Sequence, residues 1–178
     1  MRKEELSKKA YEGAIETERL ILRELSTSDI QNVYEIVRQD LVGLGLRAGK
    51  GMSLKETAKY VNKFLEHWDR FGFGVFGLLD KTTGTFVGHC GLRYIEGTND
   101  VEILYALESN QWGKGYATEA SKASIRYAFE ILKVSKLTAR VKLANYRSKK
   151  VIERMGFEYL YDKNNNGIEL SYYELFNK

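Results

Sequence analysis

Gln111-Trp112-Gly113-Lys114-Gly115-Tyr116-Ala117 is the stretch on which the reading of this chain turns. It follows Val101 to Leu107, a strand-like run, and Glu108-Ser109-Asn110, which ends that run. After it, Ala117, Ala120, Ser124, Ala128 and Ile131 predict a helix to about Lys133. A strand, a glycine turn and a helix in this order make an anion site. The first N–H groups of a helix lack internal partners and share its positive dipole end. Gly113 and Gly115 have no Cβ and can take positive φ to line up consecutive amides, and Lys114 can add a point charge. Alone, a Gly-x-Gly is more often just a helix start that holds two glycines. Gly-x-x-x-x-Gly-Lys-Ser/Thr occurs nowhere and the third glycine of the dinucleotide fingerprint is missing, so neither an NTPase nor a Rossmann dehydrogenase fits.

Upstream, Gly74 to Leu79 and Thr85 to Arg93 are β-rich runs joined by Asp80-Lys81-Thr82-Thr83-Gly84, which predicts an antiparallel hairpin. Gly97-Thr98-Asn99-Asp100 then turns the chain into Val101 to Leu107, completing a three-strand meander. Arg19 to Leu25 reads as a first strand. Ser28 with Gln31 gives a capping-box pattern for a helix on Ile30, Val33, Tyr34 and Val37 that ends before Gly43. Leu41 to Met52, with Gly43, Gly45, Gly49, Gly51, Arg47 and Lys50, reads as a mobile loop. Leu54, Ala58, Val61, Leu65 and Trp68 form one apolar stripe on a second helix from about Leu54 to Arg70. The charged first dozen residues read as frayed or helical.

The 178 residues fit one domain spanning 1–178. The 43% hydrophobic and 29% charged fractions exclude a disordered or fibrous class. One cysteine, Cys90, excludes an internal disulfide, and no apolar run follows the charged N-terminus, so a cytoplasmic protein with no membrane partner is expected. The net charge of +4 comes from 28 basic and 24 acidic residues intermixed, which suits a nucleotide as well as a nucleic acid. Twelve tyrosines could serve base stacking, but no helix-turn-helix, zinc or RNA-recognition motif is present, so no nucleic-acid partner is expected, and no metal.

Gln-x-x-Gly-x-Gly between a strand and a helix resembles the acetyl-CoA signature of the GNAT N-acetyltransferase superfamily. Trp112-Gly113-Lys114-Gly115-Tyr116-Ala117-Thr118-Glu119-Ala120 is similar to its RimJ/RimL-like branch. Thr17-Glu18-Arg19-Leu20-Ile21-Leu22-Arg23 resembles the first strand of that branch, and Val101-Glu102-Ile103-Leu104-Tyr105 its fourth. Ala139-Arg140-Val141, Asn145-Tyr146-Arg147-Ser148 and Val151-Ile152-Glu153-Arg154-Met155-Gly156-Phe157 are similar to its fifth strand, Asn-x-x-Ser helix start and Gly-Phe ending. The matches, in the right order, run from about residue 15 to 173. The resemblance implies an α/β (α+β) GNAT fold: a mixed, mostly antiparallel sheet of about seven strands, flanked by about four helices, whose fourth and fifth strands splay to admit acetyl-CoA.

The resemblance further implies that the backbone of Tyr105, Ala106 and Leu107 pairs with the pantetheine amides. Gln111, Trp112, Gly113, Lys114, Gly115, Tyr116, Ala117 and Thr118 would hold the pyrophosphate, and Asn145, Ser148 and Ile152 would line the cofactor from the other side. Acetyl transfer to an amine needs a neutral amine, a polarised thioester carbonyl and a proton for the departing thiolate. Glu102 resembles the position used as base in some members, although such a glutamate is more often a salt-bridging residue. His89 is the rival base, against the commoner structural role of a lone strand histidine. His67 is a weaker candidate. Where many members carry an acidic tyrosine this chain has Ile152, which leaves Ser148 or water as proton donor. Ser148 is equally a candidate helix cap.

Cys90 alternates with His89, so the two should face opposite sides of the sheet, and transfer through a ternary complex is favoured over an acetyl-cysteine. The acceptor is a protein N-terminal α-amine or a small-molecule amine, with the Gly43 to Gly51 loop and Trp68 shaping its side. A homodimer is the default assembly. A non-catalytic acyl-CoA binder or sensor of the same fold is the alternative.

Overall fold

The structure is a computed structural model that describes residues 13–177, so the expectation for the first dozen residues lies outside it. Eight strands form one sheet: β1 (Ile15–Glu16), β2 (Leu20–Glu24), β3 (Val75–Asp80), β4 (Phe86–Tyr94), β5 (Val101–Leu107), β6 (Lys136–Lys142), β7 (Glu158–Asn165) and β8 (Ile168–Phe176). Their order is β1-β2-β3-β4-β5-β6-β8-β7, and every neighbouring pair is antiparallel except β5 and β6. The short β1 is the strand beyond the seven expected, so the expected fourth and fifth strands are β5 and β6.

The helices are α1 (Ile30–Val37), α2 (Asp40–Gly45), α3 (Leu54–Phe71), α4 (Tyr116–Arg126, continued by a π turn over Tyr127–Ile131) and α5 (Tyr146–Arg154). Helix α3 starts in a capping box, with Ser53 N–H donating to Glu56 Oε2 and Glu56 N–H donating to Ser53 Oγ, and stops at Gly72 in the left-handed region. Its buried stripe keeps Val61 and Trp68 of the expected one but takes Thr57 and Phe64 in place of Ala58 and Leu65, and Leu54 is exposed. The box expected at Ser28 and Gln31 lies instead at Ser26 and Asp29, whose carboxylate accepts from Ser26 N–H and from both Nη atoms of Arg23. The segment expected as a mobile loop is helical through Gly45. It is packed so closely that a Cβ on Gly43 would lie 1.9 Å from the Lys50 carbonyl.

The sheet is covered on both faces. Leu20, Leu22, Phe76, Leu92 and Ile103 pack on one side with Ala120 and Ala123 of α4 and Ile152 of α5. On the other, Val75 and Ala106 pack with Val33 and Ile36 of α1 and Val61 and Phe64 of α3. Each face has its own set of packing partners, so a one-residue slip would carry every side chain of a strand to the opposite face and break both clusters.

Candidate active site

β5 and β6 share a single ladder pair, Glu102 with Thr138, and part beyond it. On its other side β5 stays paired to β4 along its length, with Cys90 opposite Tyr105, His89 opposite Ala106 and Gly88 opposite Leu107. From Tyr105 onward the β6-facing edge of β5 therefore has no strand partner, which is the geometry for an added extended chain.

Past that edge, Trp112 anchors the glycine turn by donating from Nε1 to the Leu107 carbonyl at 3.0 Å. Gly113 and Gly115 take φ of +78° and +84°, conformations closed to most side chains, and α4 begins at Tyr116. Among the described residues the amides of Gly113, Lys114, Gly115, Tyr116, Ala117 and Thr118 have no hydrogen-bond acceptor. This cradle at a helix N-terminus, beside an open strand edge, fits a diphosphate joined to an amide-bearing arm. Lys114 Nζ and Gln111 Oε1 meet at 3.1 Å, so these two side chains brace the turn from within.

Glu102 sits at the point where the strands part. It is 3% exposed and accepts from Arg93 Nε at 2.7 Å, from Arg140 Nε at 2.7 Å and from Arg140 Nη2 at 2.8 Å. Burial alone would raise its carboxyl, but the Arg140 hydrogen bonds and the charges of Arg93 and Arg140 outweigh burial and hold it below the ordinary carboxylate range. A carboxylate this well satisfied is a poor proton acceptor. The surroundings that the sequence does not show therefore disfavour Glu102 as base and make it a bond across β4, β5 and β6.

His89 and Cys90 do face opposite sides. His89 Nε2 is 2.8 Å from the Tyr60 hydroxyl on α3, and its Nδ1 has no partner among the described residues. Burial, then the charge of Arg93, pushes its pKa down to about 4, which also argues against a base at neutral pH. Cys90 lies 3.7 Å and 3.6 Å from the Ser121 and Ser124 hydroxyls, and burial pushes its thiol up to about 11. His67 is a staple, with Nδ1 against the Phe73 carbonyl and Nε2 accepting from Tyr94 N–H.

Across the gap, Asn145 caps α5 by accepting from Ser148 N–H at 3.1 Å. That leaves the Ser148 hydroxyl free of the capping role, and it lies 2.7 Å from the hydroxyl of Tyr105. Burial raises the Tyr105 phenol well above its ordinary value. Ile152 is buried in the core below. The sequence reading used only the backbone of Tyr105. Its pairing opposite Cys90 sets the Tyr105 side chain on the Cys90 face, and the position of α5 decides what that side chain meets. Arg147 was missed as well: its guanidinium lies 4.5 Å over the Trp112 ring, joining α5 to the glycine turn. Lys142 Nζ donates to the Leu44 carbonyl at 3.0 Å, so α2 reaches β6 on the far side of the cleft.

A splayed parallel strand pair beside a glycine-rich helix start defines an acyl-CoA-dependent transferase. The family model described as "Acetyltransferase (GNAT) domain" matches residues 19–158, and the chain belongs to that family. YkkB of Bacillus subtilis, an uncharacterized protein, is 29% identical over 80% of this chain and 84% of its own length. The crystal structure of an acetyltransferase from Agrobacterium tumefaciens superposes with a TM-score of 0.82 at 26% identity, covering 94% of this chain and 96% of its own. RimL, a ribosomal α-N-protein acetyltransferase solved with coenzyme A, superposes with a TM-score of 0.75 at 20% identity, covering 92% and 97%. The protein is an acyl-CoA-dependent acetyltransferase whose co-substrate is acetyl-CoA.

Proposed function

We propose that the chain passes the acetyl group directly to a primary amine of low pKa, a protein N-terminal α-amine in the first instance, within a ternary complex. The observation that supports this reading is the contact of the Tyr105 and Ser148 hydroxyls at the cleft, beside a Glu102 held below the ordinary carboxylate range and a His89 pushed down to about 4. Acetyl-CoA supplies the activated thioester. The open edge of Tyr105, Ala106 and Leu107 holds its arm, and the Gly113 to Thr118 amides hold its diphosphate.

Tyr105 is protonated at neutral pH; with its hydroxyl donating to Ser148 Oγ, the Ser148 proton passes to the departing sulfur and is replaced from Tyr105, which recovers its own proton from water. The amine nitrogen forms the new bond to the acetyl carbon as the carbon–sulfur bond breaks, and the resulting ammonium loses its proton to water. With Glu102 clamped and His89 depressed, the acceptor has to arrive neutral. An α-amine of pKa about 7.7–8 is partly neutral at physiological pH, whereas a lysine of about 10.4 is almost wholly charged. The ribosomal α-N-protein acceptor named for RimL is of the same class. Buried Cys90, held up to about 11, speaks against a covalent acetyl-cysteine.

The test is a panel of peptides with free N-termini, lysine side chains and polyamines, with thiol release followed from pH 6.5 to 9. Turnover of α-amines, rising to a plateau near the acceptor's own pKa, supports the reading. No thiol release with any amine, alongside acetyl-CoA binding by calorimetry, would replace it with an acyl-CoA sensor.

A further inference from the structure

A carbonyl directed into the protein decides which way the next amide is directed out of it. Arg19, immediately before β2, donates from Nη1 to the Lys114 carbonyl at 2.8 Å. No peptide among the described residues is cis, and a trans peptide sets C=O and N–H on opposite sides. The Gly115 N–H therefore faces away from Arg19, among the unpaired amides of the turn. Turning this peptide over needs only ψ of Lys114 and φ of Gly115 to change, and a glycine opposes that weakly.

Arg19 is itself held in place. Its Nε donates to Glu119 Oε2 at 2.7 Å and its backbone N–H to Glu119 Oε1 at 2.7 Å, where the Thr17 hydroxyl also donates at 2.6 Å. Its guanidinium lies 4.4 Å over the Tyr116 ring, and the Tyr116 hydroxyl donates to Asp80 Oδ2 at 2.5 Å. Glu119 stands in the first turn of α4, so its negative charge lies close to the cradle. Burial raises its carboxyl, but the hydrogen bonds from Thr17 and Arg19 outweigh burial and keep it ionised.

We propose that Arg19 is a positioning residue for the diphosphate of acetyl-CoA. It locks the Lys114–Gly115 peptide with its amide toward the ligand, and it neutralises Glu119, which would otherwise repel that ligand. The inference rests on the reading that the glycine turn holds the diphosphate.

The experiment compares wild type, Arg19→Gln, Arg19→Lys and Gly113→Val by calorimetry with acetyl-CoA. Turnover is measured with acetyl-CoA and with S-acetylpantetheine, which lacks the diphosphate. Arg19→Gln is expected to raise the Kd for acetyl-CoA about tenfold, the effect of one lost charge-assisted bond. It should leave kcat/KM for S-acetylpantetheine unchanged, and Arg19→Lys should recover part of the binding. Should Arg19→Gln fail to fold by circular dichroism, Arg19→Met, which keeps the apolar stem and removes the donors, carries the same comparison. Binding within about twofold of wild type in Arg19→Gln, with binding lost in Gly113→Val, overturns this inference alone. Equal losses with both thioesters overturn it too, since that marks general damage. Unimpaired binding in Gly113→Val overturns the reading of the turn, and the inference with it.

Discussion

The hydroxyl of Tyr105 on β5 lies 2.7 Å from Ser148 Oγ on α5, so the two arms of the cleft meet through a pair of hydroxyls. If this pair passes one proton, its members act as a unit. Tyr105→Phe and Ser148→Ala should each lower kcat by roughly 10–100-fold with little change in the KM for acetyl-CoA, and the double variant should be hardly worse than either. Steady-state kinetics on the three variants checks this, and additive losses would separate the two roles.

Glu102 should reveal itself through stability. Glu102→Gln leaves Arg93 and Arg140 without their shared counter-charge and is expected to destabilise the fold by about 3 kcal/mol, measured by urea unfolding. The sign with pH follows from its lowered pKa. The contribution is full above the ordinary value of 4.5 and is lost as pH falls through the folded value below it. A variant with undiminished stability and collapsed kcat would return Glu102 to the role of base.

His89 gives a second, separate pH window. Its folded pKa of about 4 lies below the ordinary 6.5, so the unfolded chain binds a proton that the folded chain refuses between those values. Stability should be full above 6.5 and fall toward pH 4. His67 is lowered in the same direction, chiefly by burial, so His89→Gln should flatten the dependence without abolishing it. Urea midpoints from pH 5 to 7.5 test this, and an unchanged slope would mean that His89 is protonated in the folded chain.

Arg147 lies over Trp112 at the mouth of the cleft, where a cation would meet an anionic cofactor. Arg147→Ala should raise the KM for acetyl-CoA several-fold at low salt and less at high salt, because the charge is exposed and screened. A salt-independent effect would instead point to the packing of Trp112.

Much of this was legible in the sequence for local reasons. The strand, glycine turn and helix around Gly113 and Gly115 are written in chain-adjacent residues, since positive φ and orphan amides at a helix start are properties of a few consecutive positions. The opposite orientation of His89 and Cys90 followed from strand alternation alone. Boundaries shifted by a residue or two where tertiary packing chose among apolar positions. On α3 it buried Thr57 and Phe64 and left Leu54 in solvent, because the face turned to the sheet is set by the sheet.

What the sequence by itself determined was the family, the glycine turn and part of the list of groups able to move a proton, from which the Tyr105 side chain was missing. What those groups do was decided by contacts between residues far apart in the chain. In the sequence Glu102 can be a base or a salt-bridging residue, and Ser148 a proton donor or a cap; Arg140 on β6 pairs with Glu102, Asn145 takes the cap, and Tyr105 meets the Ser148 hydroxyl. Arg19 reads as one charge of a first strand until it meets Lys114 and Glu119. The reason is physical: burial and a neighbouring charge shift a pKa by amounts that depend on distance in space, and the sequence holds no such distance until the sheet has closed.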